Sequence, residues 1–413
     1  MIVLSGAELV LPDRILTPGT LIVDGGRIGE IRPGAAYPAP GFAFQGHYIV
    51  PGFIDVHVHG VGGVDCLDQG APVAAMAGRL PRHGVTAFCP TTVACGPDAL
   101  RRVLSQVRQA RAAPEPRSAR VLPAHLESNF INPHFKGAQP GGCLRSPRAA
   151  LDHWTSAEER RKEESRAEDR RGSPVSEFEG ADVLREIERA APDVGIVTLA
   201  SELDGGLDLI EWLSSRGHRV SLGHSAATYD QALAAIAAGA RQATHLFNRM
   251  PPLHHRAPGL AGAVLQTEEV AAEIICDGFH VHPALVRTAV AAKRPARILA
   301  ITDGTAASGL PAGGRASLGG QTLTVGDSAA YLQDGTLAGS VLTMDRAFKV
   351  LVERIGLSLV DAAAMCSTTP AREFGLVGHG VLAVDAIADL VVLDSRLAVV
   401  QTYIGGQLVY ARN

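Results

Sequence analysis

Apolar residues along this chain fall in short runs, each ended by glycine, proline or a cluster of polar residues. In the first fifty residues the runs are "MIVLSGAELVL", "GTLIVDGGRIGEI" and "GHYIVPG", which read as strands, with "DGG" at 24–26 a hairpin turn. The last stretch, "ADLVVLDSRLAVVQTYIGGQLVYARN", repeats the style, with two β-rich runs around "DSR" and a further turn at "GG". Two β-rich ends that bracket a long middle predict a small β-sandwich domain built from both termini, residues 1–50 together with 378–413.

The middle has a different rhythm. Short apolar strands alternate with alanine-rich helical stretches such as "DQALAAIAAGA" and "TMDRAFKVLVERIG", the pattern of parallel βα units. Eight strands follow in order: "FIDVHVH", "VTAFCPTTV", "VLPAHLES", "GIVTLASE", "RVSLGHS", "QATHLFN", "EIICDGFH" and "ILAITDGT". Eight is the closure number of a (β/α)8 TIM barrel, whose active site lies at the C-terminal strand ends. The fold class is therefore α/β, with the barrel over 51–377. A charged insertion near 145–175 breaks the rhythm: "EERRKEESRAEDRR", 158–171, holds six acidic and six basic residues. Pairs such as Glu158/Lys162 and Glu163/Arg166 sit at helical spacing, so the segment reads as a solvated helix.

Composition narrows the class. Of 413 residues, 46% are hydrophobic and 19% charged, which suits a globular protein with a sizeable core. A formal charge of -4 argues against nucleic acid or a membrane as partner. The six cysteines lack C-x-x-C spacing and read as reduced thiols. The start lacks the basic segment of a signal peptide, and no apolar run reaches the ~18 residues of a membrane span, so a cytoplasmic location is expected.

The polar residues of the predicted strands cluster at their ends. "PGFIDVHVHG" brings out His57 and His59 at i and i+2, on the same side of a strand. The third strand ends on Glu127, the fifth on His224, the sixth carries His245 and the eighth ends on Asp303. Imidazoles with carboxylates make the ligand set of a catalytic Zn²⁺ or a similar first-row ion (Fe, Co and Mn fit the same donors), one or two being held. His47, His83, His134, His153, His218, His282 and His379 fall away from those ends and read as surface or capping residues. The glycine-rich "SGLPAGGRASLGG", 308–320, reads as a loop near the barrel mouth.

With these residues in place, "IVPGFIDVHVHG", "ADLVVLD…YIGGQLVY" and the spaced ligands resemble the amidohydrolase superfamily. "GHSAATYDQALAAIAAGARQATHLFNRMPPLHHRAPGLAGAVL", "CDGFHV", "ITDGTAASG" and "LAGSVLTM" are similar to its N-acetylglucosamine-6-phosphate deacetylase family, over the chain except roughly 143–180. The resemblance implies hydrolysis of the acetyl amide of an amino sugar phosphate, in a homodimer. It implies Glu127, His224 and His245 around one ion, His57 and His59 around a second, and Glu127 between them. It implies Asp303 as the catalytic carboxylate, Arg256 at the sugar phosphate, and His280 and Asn248 at the substrate; His254 and His255, before Arg256, are an added donor pair in the substrate shell. Two departures stand out: "HLESN" replaces the family's "HLEGP", bringing Ser128 and Asn129, and "KGAQ" puts Gln139 where a substrate-binding histidine is usual. Both lie in the stretch that should line the substrate.

The reaction is chemically consistent with the residues. An amide needs its carbonyl polarised and its nitrogen protonated on departure, tasks for a metal ion and for a carboxylate such as Asp303. Two rival readings are an amidohydrolase of another amide (an N-acyl amino acid or a cyclic amide) and a barrel scaffold that has lost catalysis. A cyclic-amide hydrolase would more often show a lysine between the ligand strands, an N-acyl amino acid would present a carboxylate to Arg256 instead of a phosphate, and a scaffold should lack a ligand or Asp303.

Overall fold

A computed structural model describes residues 1–35, 41–163 and 178–412, with the backbone alone for 157–163. All eight barrel strands form where the apolar runs lie. We label them β1 (Phe53–Val58), β2 (Val85–Thr92), β3 (Ala124–Glu127), β4 (Val194–Leu199), β5 (Arg219–Leu222), β6 (Gln242–Ala243), β7 (Ala271–Ile275) and β8 (Ile298–Ile301). They pair in parallel and in chain order, β1 on β2 through to β7 on β8. Nearly every residue of these strands is buried, as expected of strands covered by helices outside and packed side chains within.

The ring closes at the residues that carry chemistry. Val58 bridges Gly304 in parallel, the Asp303 N–H donates to the His57 carbonyl at 3.0 Å, and the His59 N–H donates to the Gly304 carbonyl at 2.8 Å. Below this seam the Thr302 hydroxyl donates to the Asp55 carboxylate at 2.6 Å. Burial pushes the Asp55 carboxyl up to about 6, against the lowering effect of those hydrogen bonds.

The helices follow from their patterns. In "TMDRAFKVLVERIG" the buried positions Met344, Ala347, Phe348 and Leu351 recur at helical spacing on the helix Met344–Glu353. In "TYDQALAAIA" the Thr228 hydroxyl accepts from the Gln231 N–H and the Gln231 side chain from the Thr228 N–H, a reciprocal cap that starts the helix Tyr229–Ala237. This cap ends the segment that displays His224, so the loop after β5 has a fixed exit.

Both termini supply one sheet with a core of its own. Its path runs Gln407–Ala411, Val399–Ile404, Leu390–Leu393, Tyr48–Pro51, Ile2–Val10, Ile15–Asp24 and Arg27–Pro33, as a terminal β-sandwich requires. Leu4, Leu9, Leu21, Ile49, Leu390 and Tyr403 pack between its strands. The turns at 24–26 and 405–406 form as read. Only Gly52 separates Tyr48–Pro51 from β1, so the sheet holds the entry to the first ligand strand. Asp389, almost fully buried, anchors the sheet to the barrel by accepting from Arg120 at 2.9 Å.

The structure departs from the sequence reading after β8. The stretch read as a loop begins an antiparallel meander of four strands, Arg315–Leu318, Gln321–Val325, Ala329–Leu332 and Leu337–Ser340. Its glycines mark turns between strands rather than a continuous loop, and its own small core is Leu318, Leu323, Val325, Ala330 and Ala338. It does lie at the barrel mouth, where the Ser340 N–H donates to the Asp303 carbonyl at 2.8 Å. Of the charged insertion, the helix Pro147–Glu163 is described, while 164–177 lies outside the described residues. No helix among the described residues is long and apolar enough to cross a membrane.

Candidate metal centre and substrate pocket

The barrel brings six predicted side chains to one point. His224 and His245 each place Nε2 against Glu127 Oε1, at 2.7 and 2.8 Å. His57 and His59 each place Nε2 at 3.3 Å from Asp303 Oδ1. The two groups touch, since His59 Nε2 lies 3.4 Å from Glu127 Oε2 and His57 Nε2 3.9 Å from Glu127 Oε1. All six are almost fully buried.

The donor set fits metal ions. Three of the four imidazoles are pinned from behind: His57 Nδ1 to Glu273 at 2.9 Å, His59 Nδ1 to the Thr91 carbonyl at 3.2 Å, and His224 Nδ1 to the Phe135 carbonyl at 2.7 Å. Each such acceptor fixes the proton on Nδ1 and turns the Nε2 lone pair inward, the arrangement that orients histidine ligands in metal sites. Charges agree. Burial disfavours a protonated His59, yet hydrogen bonds to Asp303 and Glu127 push it up to about 10. His245 is likewise driven up to about 9, against burial, by Glu127. Glu127 is held well below the carboxylate range by His224 and His245, although burial opposes this. Two negative carboxylates thus demand positive charge in a buried space. A divalent ion can supply it in place of protons.

The backbone is strained at the same residues. His224, His245 and Asp303 have φ of 48°, 30° and 48°, and Phe247 and Arg249 have 77° and 51°. Histidine, aspartate and asparagine tolerate this left-handed region better than most residues. Such strain concentrates at functional sites, held there by the surrounding structure.

Sequence reasoning missed the layer beneath. Glu273 stands in the quoted run "EIICDGFH" and is fully buried. It accepts from His57 Nδ1, from the His245 N–H at 3.4 Å and from Gln242 at 2.5 Å. Its signal was a carboxylate in an otherwise apolar strand. His125 points inward two residues before Glu127, with Nδ1 3.0 Å from the Val56 carbonyl and Nε2 2.7 Å from the Thr198 hydroxyl. Thr198, Thr244 and Ser221 continue that chain of hydroxyls under the centre. Glu273→Gln keeps the shape but weakens the grip on His57 Nδ1. It is expected to reduce metal affinity about 10- to 100-fold, the usual cost of losing such an outer partner. Titration of metal-free protein with Zn²⁺ checks this; unchanged affinity would show that Glu273 merely fills the barrel.

Above the centre lies a pocket enclosing about 470 Å³, its open mouth included. Its wall includes Gln139, Asn248, Arg249, His280 and Leu337. Gln139 lines the pocket and is held in place: its Oε1 accepts from the Ala94 N–H at 2.7 Å, which turns its amide nitrogen onto Glu127 Oε2. His280 is oriented by Asp277, 2.6 Å from its Nδ1. Asn248 donates to the His245 carbonyl at 3.3 Å.

Four residues expected at the substrate lie outside the lining of this pocket. Ser128 donates to the Thr198 carbonyl, and Asn129 to the Cys95 and Cys143 carbonyls; both are buried in the wall's framework. His255 and Arg256 are exposed on the loop after β6, beside a His254–Ala257 bridge and outside the pocket lining. Among the histidines read as surface or capping residues, His282 does cap the helix Pro283–Lys293. His218 is instead buried, bonded to the Val194 carbonyl at 2.9 Å.

The model of the amidohydrolase family matches residues 48–409. The N-acetylglucosamine-6-phosphate deacetylase of Rattus norvegicus is 36% identical, over 99% of this chain and 94% of the rat protein. The N-acetylgalactosamine-6-phosphate deacetylase of Escherichia coli O157:H7 is 34% identical, over 98% of both. A mutant N-acetyl-D-glucosamine-6-phosphate deacetylase from Mycobacterium smegmatis, solved in complex with N-acetyl-D-glucosamine-6-phosphate, superposes with a TM-score of 0.84 at 31% identity, covering 99% of both chains.

Proposed function

The chain belongs to the amidohydrolase family, and on that premise we propose that it hydrolyses the acetyl amide of N-acetylglucosamine 6-phosphate, giving the amino sugar phosphate and acetate. The observation that carries this reading is the buried cluster of inward-turned imidazole nitrogens around Glu127 and Asp303. Glu127, His224 and His245 would hold one divalent ion, and His57 and His59 a second, with Glu127 shared between them. Zn²⁺ suits these nitrogen and oxygen donors, with Fe, Co or Mn as other fits. When bound, such an ion polarises the amide carbonyl and acidifies water.

The chain's own residues supply the rest. Asp303 accepts the attacking water's proton and returns it to the departing nitrogen. Attraction to His57 and His59 holds its carboxyl below the usual range even though burial opposes this, so it stands ready as a base. Gln139 steadies Glu127 and, with His280 and Asn248, faces the sugar from the wall. His57, His59, Glu127, His224, His245 and Asp303 are all present and converge, which disfavours a scaffold that has lost catalysis. The third-strand ligand is Glu127 rather than a lysine, which disfavours a cyclic-amide hydrolase. A homodimer in the cytoplasm, with the chain divided near residues 50 and 378, completes the proposal.

Acetate release from a panel of N-acetyl sugars, with and without 6-phosphate, tests it. Metal-dependent release from the glucosamine phosphate, and much less from its unphosphorylated form, is the expected result. Release only from N-acyl amino acids would overturn the assignment. A preference for the galactosamine phosphate would correct the epimer alone.

A further inference from the structure

Resting on the metal centre proposed above, we propose that Glu202 is the positioning residue that aims His224 at its ion, acting from outside the catalytic pocket. Glu202 stands half-buried in the loop after β4 and lines a separate cleft with Asp204, Asp208 and Gln231. It has no place in the lining over Glu127 and Asp303, so it acts only through other residues. Its two carboxylate oxygens tie together the loops that follow β3, β4 and β5. Oε1 accepts from the Asn132 side-chain amide at 2.8 Å and from the Ala226 N–H at 2.5 Å, and Oε2 accepts from the Ser225 hydroxyl at 2.6 Å.

Both arms of this clamp lead to His224. One grips Ser225 and Ala226, the two residues that follow the left-handed φ of 48° at His224. A conformation of that kind persists only where neighbours hold it. The other arm holds Asn132, whose N–H donates to the His224 carbonyl at 3.0 Å. Asn132 Oδ1 in turn accepts from the His134 N–H at 2.9 Å and caps the short turn Pro133–Phe135. The Phe135 carbonyl at the end of that turn is the acceptor on His224 Nδ1. Glu202 thereby fixes both the backbone that carries the imidazole and the carbonyl that orients it. A carboxylate kept for solubility would face water. Here both oxygens are committed to donors on other loops, whereas the nearby Asp204 and Asp208 pair with Arg148.

The test is titration of metal-free protein with Co²⁺, read by visible absorption, beside acetate release and thermal unfolding, for Glu202→Ala, Glu202→Gln and Asp204→Ala. Glu202→Ala should weaken one Co²⁺ equivalent by about 10-fold, the low end of the cost of losing an outer partner, and alter its absorption. At saturating metal, kcat should fall several-fold while KM for the phosphorylated sugar holds. Glu202→Gln keeps an acceptor oxygen for Asn132 and Ala226 and should recover most of the affinity. Asp204→Ala should match wild type. If Glu202→Ala does not fold, Glu202→Asp, one methylene too short to span Asn132 and Ser225, takes its place with the same expectation. Unchanged Co²⁺ affinity and absorption with only a lower Tm would overturn the proposal, as would equal weakening in Asp204→Ala. A Gln variant as weak as the Ala variant would also overturn it, since charge rather than the clamp would then be at work. A wild-type protein that binds no divalent ion would overturn the metal-centre reading itself, and that is seen before any variant is made.

Discussion

His224→Ala protein is expected to lose the ion held with Glu127 and His245 and, with it, at least ~10³-fold in turnover, since Lewis-acid stabilisation is worth several kcal/mol. The imidazole is pinned between Glu127 Oε1 at 2.7 Å and the Phe135 carbonyl at 2.7 Å, so its removal leaves His245 as the sole imidazole on that oxygen. Alanine also tolerates φ 48° less well than histidine, so Tm should fall slightly besides. His224→Asn separates the two effects, because asparagine accepts the left-handed conformation. Elemental analysis, acetate release and thermal unfolding are to be measured on both variants. A full complement of metal and near-normal turnover in either would remove His224 from the ligand set.

How much of this was legible before the structure depends on what the residues do. His57, His59, Glu127, His224, His245 and Asp303 could be found because parallel strands of a closed barrel all end on one rim. Chain order alone then gathers residues almost 250 positions apart. Glu273 and His125 escaped because they lie one layer lower, where an apolar strand hides an inward-facing polar residue until the neighbouring strands are known. Arg256 and Arg249 illustrate the opposite limit. Both sit in the loop after β6, seven residues apart, and only Arg249 lines the pocket, which the loop's sequence alone does not reveal. The stretch 308–320 reads as a loop because its glycines resemble a flexible segment until the antiparallel pairing of Arg315–Leu318 is seen.

Asp303→Asn is expected to reduce kcat by ~10²–10⁴-fold while the ion at Glu127, His224 and His245 stays bound, the range typical of a lost general acid–base. The substitution is close to isosteric, and asparagine tolerates the φ of 48° found here, so the fold is spared. The backbone bonds that close the barrel, from the Asp303 N–H to His57 and from the Ser340 N–H to Asp303, do not involve the side chain. What changes is one atom: an amide nitrogen or neutral oxygen replaces Oδ1, 3.3 Å from both His57 and His59 Nε2. That group cannot take a proton from water, nor carry one to the leaving nitrogen. KM for the phosphorylated sugar should move little, because no proposed contact to the phosphate or the ring runs through Asp303. The ion associated with His57 and His59 is the more exposed to the change, so metal content should fall by at most one equivalent. Turnover within a few-fold of wild type, with metal intact, would transfer the proton-carrying role to another residue of the pocket; His280, oriented by Asp277, is the next group able to serve.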